Sequence, residues 1–192
     1  MTTTSPIRRR LVLGLAFVAV FNLGFFARPF IDAAREPDAI GVLENTARIH
    51  QSGVSGAPRV FVTFDPYCRH CHKLYEALVR RVETGEVQVE WVPVAFMNAD
   101  SASVGGELLA AADPYIALSR WFGAEPGTSP VVPRGANPKA AEARVARNTE
   151  ILRGLVGRNV APAVFYRDRE GVTQLTIGMP ADFEAWLKSV ST

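Results

Sequence analysis

The period of the apolar positions changes several times along the chain, and each change marks a different predicted element. Residues 60–64 form a short run of β-branched and aromatic residues, which is typical of a central strand covered on both faces. Residues 68–84 carry apolar side chains at helical spacing, and Gly85 marks the end of this predicted helix. Residues 87–97 alternate between apolar and polar positions and predict a second strand.

The rest of the chain begins with a helical block and ends with a hairpin and a helix. The predicted elements are helices over 104–112, 114–122 and 139–155, strands over 160–166 and 172–177, a last helix from Pro180, and a Pro/Gly-rich loop over 123–138. In the longest helix we expect Ala143 and Leu152 to face inward. The order is β-α-β, a helical block, then β-β-α. This is the order of an α/β thioredoxin fold with a helical insertion, at about 101–158, between its two halves.

The amino-terminal segment reads as a targeting signal. Arg8, Arg9 and Arg10 precede an apolar run over residues 11–27, and Arg28 follows it. At about 1.5 Å per residue this run spans roughly 25 Å, close to the ~30 Å thickness of a hydrocarbon core. We expect one transmembrane anchor or signal helix over residues 1–31, with its arginines in the cytoplasm and the remainder exported. An uncleaved anchor is favoured, and the alternative is a cleaved signal that leaves a soluble periplasmic protein.

Residues between this segment and the first strand are predicted to be a connector. It runs over 32–58, with a short helix over 38–50 and a flexible loop over 51–58. The thioredoxin-like domain is then expected over residues 59–192.

Composition narrows the classes of partner. The chain has 192 residues, 48% of them apolar, and a net charge of +2. Without the three amino-terminal arginines, the rest of the chain carries 18 basic and 19 acidic residues. A body so nearly neutral has no electrostatic footprint for nucleic acid, and we expect no nucleic-acid partner.

Cys68 and Cys71 are the only two cysteines in the chain. They lie three positions apart where a buried strand gives way to a helix, which is typical of thiol–disulfide exchange. Cys68, at the helix amino terminus, is the expected attacking thiol, because unpaired N–H groups and the helix dipole favour its thiolate. Cys71, one turn further, is the expected resolving thiol.

The two residues inside the motif, Arg69 and His70, are predicted to tune this pair. Both can carry positive charge close to the Cys68 sulfur, which lowers its pKa further. A more stable thiolate stabilises the reduced form, so we expect an oxidising disulfide.

Other interpretations of the motif stay open. Cys-x-x-Cys followed by His72 is also the attachment pattern of a covalently bound haem. A structural zinc site would need two more ligands, and the chain has three histidines, His50, His70 and His72. An inert buried pair, or a chaperone that holds substrates without exchange, remains possible. We expect no metal, and no cofactor beyond a redox-active Cys68–Cys71 disulfide.

Ala161-Pro162 stands at the head of a predicted strand in the second half, where thioredoxin-fold oxidoreductases place a cis-proline opposite the cysteines. The residue before that proline is free to pair with an extended substrate. We therefore expect Ala161 and Pro162 to bind substrate. Asp65 and Glu90 are candidate proton relays to Cys71, and each could equally be a helix cap or a solvated residue.

The chain resembles the periplasmic Dsb proteins, and among them the catalytic domain of the DsbC/DsbG group. The resemblance rests on residues 64–74, Phe-Asp-Pro-Tyr-Cys-Arg-His-Cys-His-Lys-Leu, on Val-Pro-Val at 92–94, and on Ala-Pro-Ala-Val-Phe-Tyr at 161–166. It implies that Cys68 is the nucleophile, Cys71 the resolving cysteine and Pro162 the cis-proline.

Three departures from that group shape our expectations. Arg69-His70 differs from the Tyr-ending dipeptides of DsbC and DsbG and is similar, in its histidine, to the oxidase DsbA. Ala161 stands where the group commonly has threonine. Residues 32–58 are too short for the amino-terminal dimerisation domain of the isomerases, so we expect a monomer.

These observations together predict a periplasmic thiol:disulfide oxidoreductase tethered to the inner membrane. Its expected partners are exported proteins with thiols or disulfides and an inner-membrane redox partner. Donation of a disulfide is preferred. The alternative within the class is a reductase or isomerase kept reduced by a membrane electron donor.

Overall fold

The computed structural model describes residues 38–51, 53–124, 130 and 137–191. The predicted transmembrane or signal helix over residues 1–31 lies outside these ranges. Within them, no helix combines the length and the apolar character that crossing a membrane requires. In chain order the elements are α1 (Ala39–Leu43), β1 (Ile49–Gln51), β2 (Arg59–Phe64), α2 (Arg69–Glu83), β3 (Gln88–Pro93), α3 (Ser101–Ala110), α4 (Pro114–Phe122), α5 (Pro138–Val156), β4 (Ala163–Arg167), β5 (Thr173–Ile177) and α6 (Phe183–Ser189).

The strands form one mixed sheet in the order β1-β3-β2-β4-β5. Strand β2 lies at its centre, parallel to β3 and antiparallel to β4. This confirms that the run at 60–64 is a central strand. The register places Thr63 opposite Ala163 and Phe64 opposite Pro93, so β2, β3 and β4 all reach the end of the sheet at which the cysteine motif begins.

Both faces of β2 are buried, as its nearly continuous apolar sequence requires. Val62 and Phe64 belong to the core that also contains the cysteines and residues of α2, α4 and α6. Phe61 belongs to a second core, on the opposite face, with residues of α1 and α5 such as Leu152. Ala143 was expected to face the core and is exposed, because α5 instead buries Ala141 and Val145 against the domain.

The helical insertion is held together by the close approach of α3 and α5. A Cβ atom on Gly106 would lie 2.7 Å from the backbone nitrogen of Glu142, so glycine allows the two helices to touch. Helix α5 begins with Pro138 after the cap Asn137, whose side chain accepts a hydrogen bond from the Ala140 N–H. Gly157 then ends the helix with a positive φ of 76°.

The predicted single helix over 38–50 is wrong. The structure divides this stretch into α1 and the edge strand β1, which pairs antiparallel with β3. The side chain of Thr46 donates to the Leu43 carbonyl at 2.6 Å and helps to end the helix. Gln51, in β1, accepts a 2.8 Å hydrogen bond from the indole N–H of Trp91. The expected connector over 32–58 therefore contains two elements of the compact unit that starts at Asp38.

Strand β3, which was predicted over residues 87–97, is shorter than predicted and ends at Pro93. Beyond Val94 the backbone leaves the sheet, and side chains take over its N–H groups. Ala95 donates to the Thr149 hydroxyl at 2.9 Å, and Phe96 and Met97 donate to the Asp65 carboxylate.

Candidate active site

The cysteine motif lies where β2 passes into α2. Cys68 is the amino-terminal cap of α2, and its sulfur accepts a hydrogen bond from the Cys71 N–H at 3.3 Å. Its own N–H donates to the Asp65 carbonyl at 2.9 Å and closes the turn between strand and helix. The sulfur thus lies at the positive end of the helix, as the sequence predicted.

Both cysteines are free thiols with no solvent-exposed surface. A hydrogen bond from the Cys71 thiol is the main cause that lowers the pKa of Cys68, from an ordinary value of 9.0 to about 7. Burial opposes the lowering, and the N–H groups of Cys71 and His70 add to it. The lowered pKa makes the thiolate of Cys68 accessible near neutral pH.

Cys71 has the opposite character. Burial is the main cause that raises its pKa well above 9.0, and its hydrogen bond to Cys68 adds to the rise. Helix α2 thus holds one thiol that ionises near neutrality and one that stays protonated. This asymmetry agrees with the attacking and resolving roles expected for the two positions.

Ala161 and Pro162 lie against the motif from the second half of the chain. The peptide bond between them is cis. The Ala161 carbonyl accepts a hydrogen bond from the Cys68 thiol at 3.3 Å. Gly178 donates to the Pro162 carbonyl at 2.9 Å, which ties the proline to the chain just after β5. The structure therefore brings together the two segments that the sequence placed on one site.

Arg69 and His70 are exposed on the first turn of α2. The causes that lower the pKa of Cys68 are the Cys71 thiol and two backbone N–H groups, one of them from His70 itself. The backbone of this turn therefore contributes to the effect that the sequence assigned to its side chains. Tuning by the Arg69 and His70 side chains stays a prediction.

Glu90, one of the two candidate proton relays, does not lie at the cysteines. Its carboxylate bonds to Arg48 Nε and to His50 Nδ1, each at 2.9 Å. It pairs in register with Phe61, whose side chain belongs to the core on the other face of the sheet. Asp65, the other candidate, is buried directly before the motif and accepts hydrogen bonds from the loop after β3 and from α3.

Sequence reasoning missed two groups that support the site. The Thr63 hydroxyl accepts from the Ala163 N–H at 3.2 Å and lies 3.3 Å from the Ala163 carbonyl oxygen. Trp121, from the insertion, donates to the Pro66 carbonyl at 2.8 Å and packs edge-on against Tyr67. Both contacts join segments far apart in sequence, and a β-branched residue or an aromatic residue gives no local sign of such a partner.

His72 would be the axial ligand in the haem alternative. Its ring lies edge-on to Phe122, with 4.6 Å between the ring centroids. Among the described residues, no three His, Cys, Asp or Glu side chains are grouped so that they could hold a metal ion.

The chain is similar in sequence to the thiol:disulfide interchange protein DsbG. It is 33% identical to DsbG of Pseudomonas aeruginosa over 129 residues, which are 67% of this chain and 50% of that protein. It is 27% identical to DsbG of Escherichia coli over 121 residues, which are 63% of this chain and 48% of that protein. The chain thus spans about half the length of these curated relatives. No protein-family model matches it.

Solved structures share the fold at low sequence identity. The catalytic domain of Proteus mirabilis ScsC has a TM-score of 0.57 at 18% identity, with 78% of this chain and 94% of that chain covered. A periplasmic thioredoxin-like protein from Salmonella enterica serovar Typhimurium has a TM-score of 0.56 at 18% identity, with 80% and 95% covered. A disulfide interchange protein from Neisseria gonorrhoeae has a TM-score of 0.53 at 22% identity, with 76% and 97% covered.

These comparisons confirm two predictions from the sequence. The chain is related to the Dsb proteins through DsbG, and its fold is thioredoxin-like. In proteins of this kind the redox-active group is a cysteine pair. The relationship therefore favours disulfide exchange at Cys68 and Cys71 over haem attachment.

Proposed function

We propose that this chain is a periplasmic thiol:disulfide oxidoreductase that exchanges disulfides with exported proteins through Cys68 and Cys71. One observation carries the proposal. The Cys71 thiol and N–H stabilise the sulfur of Cys68, whose pKa is lowered to about 7, while burial raises the pKa of Cys71. Exchange requires one sulfur that is readily a thiolate and a partner that resolves the mixed disulfide, and this pair has that division.

In the proposed cycle the protein starts with a Cys68–Cys71 disulfide. A substrate thiolate attacks the Cys68 sulfur, the sulfur–sulfur bond breaks, and Cys71 leaves as a thiolate that takes up a proton. A second thiolate of the same substrate then attacks the substrate sulfur of the mixed disulfide and releases Cys68. The substrate loses two electrons and two protons to form its disulfide, and the two cysteines gain them.

The extended substrate would lie along Ala161 and Pro162. Strand β4 begins at Ala163, so the peptide groups before it lie outside the sheet ladder. The Ala161 carbonyl is 3.3 Å from the Cys68 sulfur, and a substrate strand bonded to this residue would bring its own sulfur close to Cys68.

Net oxidation is the direction we propose. Its support is the sequence Arg69-His70, because positive charge on these side chains beside Cys68 would favour the reduced, thiolate-containing form.

A disulfide reductase or isomerase is the second candidate. A pKa near 7 for Cys68 favours it, since strongly oxidising Cys-x-x-Cys pairs have much lower values, down to about 3.5. Such a protein would be kept reduced by an inner-membrane electron donor.

We further propose a location and a set of partners. The apolar run over residues 11–27, with three arginines before it, would tether the chain to the inner membrane with the domain in the periplasm. Exported proteins would be the substrates, an inner-membrane protein would reset the cysteine pair, and the domain would act as a monomer.

The test is to trap substrates in the periplasm. Cys71→Ser cannot resolve the mixed disulfide, so we expect this variant to accumulate exported proteins on Cys68 that are released by reductant. Cys68→Ser is the matched control and should trap none. Equal trapping by both variants, or by neither, would refute exchange through Cys68.

Direction is tested by equilibrating the purified domain with glutathione buffers. Oxidation predicts a reduction potential less negative than about −200 mV, whereas a value near the −270 mV or so of thioredoxin would favour the reductase.

A further inference from the structure

We propose that Asp65 is a positioning residue of the exchange reaction, which fixes the turn before Cys68 and places a carboxylate beside both sulfurs. The inference rests on the proposed function and deepens it. In this proposal the buried carboxylate of Asp65 makes the Cys68–Cys71 disulfide a weaker oxidant of its substrates.

The Asp65 side chain is fully buried, with 0% exposure, and four donors surround it. Its Oδ1 accepts from the Tyr67 N–H at 3.0 Å and from the Ser101 hydroxyl at 2.8 Å. Its Oδ2 accepts from the Phe96 N–H at 2.9 Å and from the Met97 N–H at 3.0 Å. One carboxylate thus joins three segments: the turn before Cys68, the loop after β3 and the first residue of α3.

This arrangement bears on the relay interpretation of Asp65, one of the three left open by the sequence. An ionised carboxylate is an acceptor only, and here both oxygens already accept two hydrogen bonds. A proton on either oxygen would displace a donor and leave it buried without a partner, which is costly. The geometry therefore suits an acceptor that keeps its four donors, and not a relay that takes and returns the Cys71 proton.

Asp65 is also coupled to the cysteines through its backbone. Its carbonyl accepts the Cys68 N–H at 2.9 Å, and its backbone acts to lower the pKa of Cys71. Its charge acts against both thiolates: it raises the pKa of Cys68 and that of Cys71. Asp65 thus holds the sulfurs in place while opposing their ionisation.

Other titratable groups also face Cys68. Cys71 and Asp65 are buried beside it, and Arg69 and His70 are exposed on the first turn of α2. Asp65 contributes a carboxylate on the buried side of the pair. Because it is shielded from solvent, its effect on the sulfurs is weakly screened by salt.

The consequence concerns the equilibrium with glutathione. The protein disulfide and two glutathione thiols form the two protein thiols and one glutathione disulfide, with two electrons passing to the protein. A charge that disfavours the Cys68 thiolate disfavours the reduced protein and makes its disulfide a weaker oxidant. Removal of that charge should have the reverse effect.

The experiment compares Asp65→Asn with Ser101→Ala. Asp65→Asn removes the charge, and Ser101→Ala keeps it but deletes one of its donors, so both variants lose hydrogen bonds and some stability. The midpoint pH of iodoacetamide alkylation at Cys68 should fall in Asp65→Asn, with an increase of about threefold in the thiolate fraction at pH 6. Ser101→Ala deletes one hydrogen bond to the Asp65 carboxylate, so the charge of Asp65 is less well compensated. The alkylation midpoint of Cys68 should therefore rise in this variant.

The glutathione equilibrium gives the second measurement, in which Asp65→Asn should be the stronger oxidant. An unchanged or higher alkylation midpoint in Asp65→Asn would overturn the proposal. So would a fall in Ser101→Ala, because loosening of the turn would then explain both variants. If Asp65→Asn does not fold, Ser101→Ala alone decides: a rise in the alkylation midpoint of Cys68 supports the proposal, and a fall overturns it. A wild-type protein that forms no Cys68–Cys71 disulfide with glutathione would instead refute the proposed function.

Discussion

The thiol of Cys68 and the carbonyl oxygen of Ala161 lie 3.3 Å apart, although 93 residues separate them along the chain. The first residue caps a helix at the end of β2, and the second lies just before β4. Because β2 and β4 are hydrogen-bonded neighbours, their ends bring together Cys68, the proposed nucleophile, and Ala161, the proposed peptide-binding residue. The candidate active site is therefore a product of strand pairing between the two halves of the domain.

Alkylation of the two cysteines should separate them clearly. Cys68 should react with a midpoint near pH 7, because its pKa is lowered to about 7, and Cys71 should stay unreactive through this range. In Cys71→Ser the thiol donor is replaced by a hydroxyl on a shorter bond, so the Cys68 midpoint should move towards its ordinary value of 9.0. Mass spectrometry of alkylated peptides checks both expectations. A wild-type midpoint at 9.0 would contradict the first.

Between about pH 7 and 8.5 the stability of the reduced protein should rise with pH relative to that of the oxidised protein. The pKa of Cys68 is about 7 when folded and near 9.0 when unfolded, so the unfolded state holds more protons between these values. The reduced protein should gain about 1 kcal/mol as the pH rises from about 7 to 8.5, and lose it as the pH falls back through 7.

Urea unfolding of both redox forms at each pH measures this difference. The oxidised protein is the control for all other titrating groups, because it lacks both thiols. Parallel pH profiles for the two forms would contradict the lowered pKa.

Thr63 should matter for both stability and substrate docking. Thr63→Val removes the hydroxyl that accepts from the Ala163 N–H at 3.2 Å, and should cost about 1–3 kcal/mol because that buried group loses its partner. Loss of this contact also loosens the backbone next to Pro162, so KM for a peptide thiol should rise. Thr63→Ser keeps the hydroxyl and is the matched control. Equal effects of serine and valine would exclude the hydrogen bond as the cause.

Two glycines offer a test of the helical insertion. Gly106→Ala would place a Cβ 2.7 Å from the Glu142 nitrogen, and should destabilise the domain by about 1–3 kcal/mol because backbone must shift. Gly154, within α5, has open space around it, so Gly154→Ala should stabilise by about 0.4–1 kcal/mol. Thermal or urea unfolding distinguishes the two. A neutral Gly106→Ala would show that α3 and α5 are less closely packed in solution.

The parts predicted best were those with a strong local signal. The run at 60–64 predicted a strand covered on both faces, and the structure buries each of these residues. Cys68 was expected at a helix amino terminus, and it is the cap of α2. In both cases residue type and spacing carry the information, because strand burial and helix capping depend on neighbours along the chain.

The parts missed depend on partners in space. Gln51 was predicted to lie in a loop. In the structure its side chain accepts a hydrogen bond from the buried indole N–H of Trp91, which stabilises the pairing of β1 with β3. Asp65 could be a cap, a relay or a solvated residue until its four donors, from three segments, are known. Tertiary contacts determine the structure at such positions, and a short polar stretch of sequence does not indicate which contacts it will make.

The pairing of β2 with β4 also sets the order in which the protein becomes competent during its own synthesis. Cys68 and Cys71 leave the ribosome before the strand that begins at Ala163 exists, and the carbonyl that Cys68 contacts lies 93 positions further along the chain. Until that strand has been made and has joined the sheet, Ala161, the proposed peptide-binding residue, cannot lie beside Cys68. A nascent chain therefore lacks the contact between Cys68 and Ala161, and the complete site belongs to the finished domain.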